Sequence, residues 1–419
     1  MPAPSRFQKT TLRILNVVYT LALVPFRRSR GPGLATEDPA RVARTDEYIA
    51  AAERYYAEFP NRPFLLNKPF SEPASLSKHL IDTGVLLSAL QVAPGDTVVE
   101  IGAGTCWLSH ILNRYGCRTI SVDVSPTALE LGRKLFETDP HTNWSLNPGF
   151  VSFDGRLLPL DDRSADAIVI NDAFHHVPNQ RQLLTEMRRI LRPGGIAAMS
   201  EPGRGHGTAA HSVEEAAEFG VLENELVLED LAALARDCGF AGVNVLIQSP
   251  FSSMEIDARK VGAFMGGKGF ADYWKTFCGN LDRHHYLVLH TASAAKTTRR
   301  TAGARAQIEA SLAGAAISFR ITNSGDSTWL GGDVPRSGWT RIGAHLYKKE
   351  GGATRLVDFD WWRHALPEQV RPGQTVTMSA SLPQLGPGHY ELAFDLVIEG
   401  LAWFATLDSP VTRIEMRVE

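Results

Sequence analysis

Cysteine is scarce in this chain. Only Cys106, Cys117, Cys238 and Cys278 occur among 419 residues, and no two form a Cys-x-x-Cys pair. Neither a thiolate zinc site nor a disulfide framework is suggested, and scattered thiols fit a reducing cytoplasm. Acidic residues are missing from the first 36 positions, where Arg6, Lys9, Arg13, Arg27, Arg28 and Arg30 stand. Long apolar runs are missing there too: the stretch 14–26 falls short of the roughly 20 residues needed to span a bilayer. Arg27-Arg28-Ser29-Arg30 follows it in place of a small-residue cleavage site, which disfavours a signal peptide. The expectation for residues 1–36 is a basic amphipathic segment lying in a membrane interface, the alternative being a helix packed on the core. A net charge of −3 gives no reason to expect nucleic acid as a partner.

What is present is ordinary globular composition, 44% hydrophobic and 21% charged, in a chain long enough for two or three domains. Residues 37–94 read as a helical lid. Asp38-Pro39 is a start signal, Tyr48, Ile49, Tyr55, Tyr56 and Phe59 form an apolar face, and four prolines between Pro60 and Pro73 break it. Ser75 to Leu90 reads as a further helix. His79 and the Tyr55/Tyr56 pair either face a substrate or simply pack.

Residues 95–290 alternate strands and helices, which implies a parallel sheet with helices on both faces, a doubly wound α/β domain. The strands read as Val98–Ile101, Arg118–Asp123, Phe150–Gly155, Asp166–Asp172, Ile196–Glu201, Val243–Gln248 and His284–His290. Ligands in such sheets bind beyond the carboxyl ends of the strands. Five ends carry an acid or amide: Glu100, Asp123, Asp154, Asn171 with Asp172, and Glu201. The first strand turns through Gly102-Ala103-Gly104 into an apolar-periodic helix, the first unit of a nucleotide-type pocket. Cys106-Trp107 stands where a pyrophosphate loop places its third glycine.

Residues 291–302 are polar and small, a linker. Residues 303–419 then alternate with period two, as in Ile317, Phe319 and Ile321 or Leu392, Phe394 and Leu396. Short strands between turns such as Arg371-Pro-Gly-Gln predict an antiparallel β-sandwich.

Taken together, Glu100-Ile-Gly-Ala-Gly-Thr, Asp123, Asp154-Gly155, Asn171-Asp-Ala-Phe-His-His-Val-Pro178 and Leu191-Arg-Pro-Gly-Gly195 resemble the motifs of class I S-adenosylmethionine-dependent methyltransferases, over about residues 95–205. The resemblance implies a Rossmann-like sheet and S-adenosylmethionine as cofactor. Glu100, Gly102, Ala103 and Gly104 would hold its amino-acid end, with backbone donors meeting the carboxylate. Asp123 and the neighbouring Val124 would hold the ribose. Asp154 and Gly155 would meet the adenine, while Asn171, Asp172 and Phe174 would line the cofactor beside its methyl group.

Methyl transfer is an in-line displacement governed by alignment and exclusion of water. A base is needed only where the acceptor is a hydroxyl. The candidates are His175, His176, Glu201, His206 and His211, each with a structural role as its alternative. No histidine–carboxylate spacing suggests a metal site. The C-terminal segment resembles immunoglobulin-like modules that accompany bacterial polysaccharide-assembly enzymes. Trp361 and Trp362 are adjacent on a strand, so one leaves the core and is free to stack on a sugar. The expected function is therefore O-methylation of a sugar or glycan intermediate, in the cytoplasm and at the inner membrane face. A methyltransferase of a small metabolite or lipid and a non-catalytic glycan-binding scaffold are the alternatives.

Overall fold

The computed structural model describes residues 38–59, 61–71, 73–92, 94–291, 296–299, 301–314, 316–332 and 338–419. The segment expected in a membrane interface, residues 1–36, lies outside them. Among the described residues no helix is long and apolar enough to cross a membrane.

Among the described residues four helices come first: α1 (Pro39–Ala43), α2 (Thr45–Glu58), α3 (Arg62–Leu66) and α4 (Pro73–Leu90). The α/β domain follows as β1 (Thr97–Ile101), α5 (Trp107–Tyr115), β2 (Arg118–Asp123), α6 (Pro126–Thr138), β3 (Gly149–Ser152), β4 (Ala165–Asn171), α7 (Gln180–Ile190), β5 (Leu191–Pro202), α8 (Ala210–Phe219), α9 (Leu228–Asp237), β6 (Gly242–Leu246), α10 (Val261–Met265), α11 (Phe270–Arg283) and β7 (His284–His290). The seven strands form one sheet in the order β3-β2-β1-β4-β5-β7-β6.

Alternation along the strands makes both faces of this sheet apolar. Val99 and Ile101 enter one core and Val98 the other; Ile168 and Ile170 divide from Ala167 and Val169 in the same way. Leu86 of α4 and Leu108 of α5 cover one face, while Leu184 of α7 and Leu231 of α9 cover the opposite one. The sheet is Rossmann-like, but it is not parallel throughout. β7 lies between β5 and β6 and pairs antiparallel with both. Residues 247–283 therefore stay at the end of the sheet where β6 finishes, instead of crossing a face. Period-two alternation is the same for either strand direction, so the pattern alone cannot reveal this.

The second domain contains β8 (Lys296–Thr297), β9 (Ala306–Ala313), β10 (Ala316–Asn323), β11 (Ser327–Thr328), β12 (Thr340–Glu350), β13 (Ala353–Ala365), β14 (Thr375–Ser381), β15 (Gly388–Ile398), β16 (Ala402–Trp403) and β17 (Thr412–Val418). A three-stranded antiparallel sheet, β14-β10-β9, packs on a larger one, β13-β12-β15-β16, with β17 on β15. Trp329 is fully buried against Phe404. Trp361 and Trp362 are both partly buried on the same core, so neither stands out as a free platform. The expected linker is partly structural as well. β8 pairs with β11, and the buried Arg299 guanidinium reaches Asp166 at 3.6 Å and Asp96 at 4.0 Å.

Candidate cofactor and acceptor site

The turn from β1 into α5 holds Gly102 at φ +71° and Gly104 at φ +51°. A Cβ on Gly102 would lie 2.4 Å from Ala173 Cβ, and one on Gly104 2.6 Å from the Tyr56 hydroxyl. The loop thus runs tightly beneath α2 and the segment after β4, where only glycine fits. Its backbone donors are not laid out as expected. Gly102 and Ala103 donate to the Val122 carbonyl at 2.9 and 3.0 Å, and Gly104 donates to Asp123 Oδ2 at 2.7 Å. These bonds hold the turn against β2. The loop offers a ligand close approach, while these three donors are already spent.

Glu100 lies on the α5 side of β1, and its Oε2 accepts the Ser109 N–H at 2.8 Å. That donor belongs to the first turn of α5, where backbone N–H groups lack helical partners. Burial pushes the Glu100 pKa up to about 8, with the Ser109 bond opposing and Asp123 adding to the shift. Glu100 is therefore mostly protonated at neutral pH in the ligand-free state. Asp123 ends β2. Its Oδ1 accepts the Ser125 N–H at 2.8 Å, and burial raises its pKa despite its backbone bonds. Val124 beside it is partly exposed.

Asp154 follows β3, the strand next to β2, and is exposed. Its Oδ1 closes its own turn by accepting the Arg156 and Leu157 N–H groups at 2.9 and 3.0 Å. Gly155, at φ +70°, faces Ile49 and Thr45 of α2. At the end of β4, Asn171 Oδ1 is buried with no hydrogen-bond donor. A cationic or hydroxyl-bearing ligand would satisfy it. Asp172 stands 3.8 Å from Lys78 Nζ. Desolvation pushes its carboxyl upward, but Lys78 and the neighbouring histidines outweigh that and hold it well below the usual carboxylate range. Phe174 requires correction. Its ring is fully buried in the core with Leu184 and Met187, so it cannot line a cofactor.

Helix α2 closes over this end of the sheet. Glu53 Oε2 accepts from Ser125 Oγ at 2.5 Å at the start of α6, and Tyr56 lies over Gly104. Of the lid residues flagged in the sequence, Tyr56 reaches the glycine loop. Tyr55 instead packs edge-on against Phe219, and His79 lies against Trp107.

The acceptor-side candidates gather beyond β4 and β5. Glu201 is fully buried and accepts four bonds: from the N–H groups of Ala173 at 3.0 Å, Phe174 at 2.9 Å and His175 at 3.3 Å, and from His175 Nδ1 at 2.8 Å. A carboxylate so occupied positions the loop and the His175 ring, and is not free to serve as a base. His175 is almost fully buried. Burial lowers its pKa, but Glu201, Asp172 and Glu223 raise it further and prevail. His176 is partly exposed, with Nδ1 2.6 Å from the Leu222 carbonyl. His206 Nε2 lies 2.6 Å from Glu223 Oε2, and His211 is exposed beside it.

No spacing in the sequence pointed to a set of residues able to hold a metal, yet such a set exists among the described residues. One ligand atom from each of His175, His176 and Glu223 lies within 4.8 Å of the others. Glu223 is far from the histidines in sequence, so motif spacing could not find it. Lys78 was likewise missed. It bridges Asp82 at 2.8 Å and Asp172, and Asp82 in turn accepts from the Tyr286 hydroxyl at 2.6 Å. The i,i+4 pairing of Lys78 with Asp82 on α4 was the available signal.

Residues 99–199 match the family described as a methyltransferase domain. This span runs from β1 to β5 and contains every residue expected at the cofactor. The chain is 30% identical over 193 residues to a 37.1 kDa protein in transposon TN4556 of Streptomyces fradiae, covering 43% of this chain and 53% of that one. It is 34% identical over 112 residues to demethylmenaquinone methyltransferase of Clavibacter sepedonicus, covering 26% and 43%. The chain thus spans about half the length of the curated relatives it matches. Among solved structures it is similar to Haemonchus contortus phosphoethanolamine N-methyltransferase 2 in complex with S-adenosyl-L-methionine, with 18% identity, 59% of this chain and 57% of that one covered, and a TM-score of 0.38.

Proposed function

We propose that the protein transfers a methyl group from S-adenosylmethionine to a hydroxyl of a sugar or glycan intermediate. The observation that carries the hydroxyl reading is the cluster beyond β4 and β5, where buried Glu201 fixes the ring of His175. Transfer to nitrogen or an activated carbon has less need of such a group, whereas a hydroxyl must lose its proton. Asp123 and Val124 would hold the ribose, Asp154 and Gly155 the adenine, and Asn171 the amino-acid end, with Glu100 behind the glycine loop.

The chemistry then follows from position. The sulfonium–methyl bond breaks with its electron pair left on sulfur, and the new bond forms to the acceptor oxygen. The hydroxyl proton leaves to the histidine–carboxylate cluster. The lid helix α2 and the segment 247–283 would exclude water from the reacting atoms.

The sugar reading draws on the second domain, which resembles immunoglobulin-like modules, and on the basic segment 1–36 as a hold on the inner membrane face, with the enzyme in the cytoplasm. A small metabolite or lipid is the second reading, and the similarity to demethylmenaquinone methyltransferase favours it. A silent scaffold would have no need of the buried Glu100 and Asp123.

The test is a transfer assay with methyl-labelled S-adenosylmethionine against sugar nucleotides, extracted lipid-linked oligosaccharides and quinone precursors. Label in the glycan fraction, lost in His175→Asn, is the expected outcome. Label confined to the quinone fraction would overturn the sugar reading.

A further inference from the structure

Two imidazoles and a carboxylate, those of His175, His176 and Glu223, converge beyond β4 and β5. His175 Nδ1 is committed to Glu201, so its proton lies there and the lone pair of the neutral ring is on Nε2. That Nε2 faces Glu223 Oε2 at 3.7 Å. The Glu223 side chain is only 5% exposed, and its Oε1 has no hydrogen-bond donor. His176 Nδ1 stands 3.5 Å from that oxygen and donates its proton to the Leu222 carbonyl, so the lone pair of that ring lies on Nε2. A buried carboxylate oxygen left without a donor is costly unless a cation satisfies it.

We propose that His175, His176 and Glu223 bind a divalent metal ion of the zinc class. Two imidazoles and one carboxylate form a three-ligand set that leaves a fourth position open, the pattern of a catalytic zinc site. Imidazole nitrogen favours zinc over magnesium or calcium. The outer partners are also in place. Glu201 holds the Nδ1 proton of His175, the carboxylate–histidine–metal arrangement that fixes a ring and raises its basicity. His206 binds Glu223 Oε2 at 2.6 Å and so orients the carboxylate. An ion held there, with a position left open, would polarise an acceptor oxygen and acidify its hydroxyl. This last role rests on the proposed O-methylation; the metal site itself does not.

The experiment uses the full-length, tag-free protein, stripped with chelator and titrated calorimetrically with zinc, then separately with S-adenosylmethionine. One zinc per chain is expected for the wild type, with affinity weakened about ten- to a hundred-fold in Glu223→Gln and in His176→Asn. Both variants should still bind S-adenosylmethionine, which shows that they are folded; His176 is half-exposed and its replacement is the milder of the two. No zinc binding by the wild type, or variants that bind zinc as tightly as the wild type, overturns the proposal. Zinc binding without S-adenosylmethionine binding would leave the metal site standing and remove the proposed function instead.

Discussion

Replacing Glu201 with alanine is the most informative single change at the acceptor side. The wild-type carboxylate is fully buried and accepts three backbone N–H groups and the His175 ring. Hydrogen bonds to a charged group contribute roughly 1.5–3 kcal/mol each. A simple sum over four would overshoot, because the loop relaxes and water enters the space. Removing one partner from a buried ionic arrangement costs about 3–5 kcal/mol. The corresponding drop in unfolding midpoint is about 6–20 °C for a domain of this size. Glu201→Gln keeps one acceptor oxygen for Ala173 and Phe174 but places an NH₂ against the His175 N–H, so its loss should be smaller. The assay is thermal unfolding followed by circular dichroism, with S-adenosylmethionine titration of each variant. Cofactor affinity should change far less than stability, because Asp123 and Glu100 lie on other strands. If Glu201→Ala unfolds within a degree of the wild type, Glu201 does not hold the loop.

Other perturbations test the cofactor side and the domain junction. Glu100 has a folded pKa of about 8, above its ordinary value, so the stability from its protonated form is lost as pH rises toward 8. A cofactor ammonium nearby would expel that proton. Affinity for S-adenosylmethionine should therefore increase with pH up to about 8, with proton release visible by calorimetry in buffers of different ionisation enthalpy, and Glu100→Gln should abolish the release. Gly102→Ala combines a positive φ with a Cβ 2.4 Å from Ala173 Cβ. It should weaken cofactor binding at least about ten-fold by displacing the loop or the segment after β4; unchanged binding would mean that the loop does not contact the ligand. Arg299→Met leaves Asp96 with less positive charge nearby, although Arg192 still pairs with Asp166 at 2.5 Å. A loss of about 3 kcal/mol is expected in chemical unfolding of the full chain, and no loss would mean the junction does not depend on this residue.

Much of the α/β domain was legible because its signals are local. Val98 to Gly104 states both a buried strand and a tight turn, and Asp123 ends a run whose apolar pattern admits little else. What escaped depends on chain direction or on distant residues. β7 alternates like any strand, and nothing in His284 to His290 says that it runs backwards. Phe174 follows Asn171 closely, but the short helical turn after β4 swings its ring into the core. The loop donors at Gly102 to Gly104 looked available because their partners, Val122 and Asp123, lie on the next strand. Glu223 and Lys78 join the site from segments whose own patterns show only a loop acid and a helical ion pair.

Cofactor binding is the most direct measurement. Calorimetric titration of the purified full-length protein with S-adenosylmethionine should give one binding event per chain, weakened at least about ten-fold in Asp123→Ala by loss of the carboxylate proposed to hold the ribose and of its bond to Gly104. Absence of binding by the wild type, or undiminished binding by the variant, would contradict the assignment of this pocket.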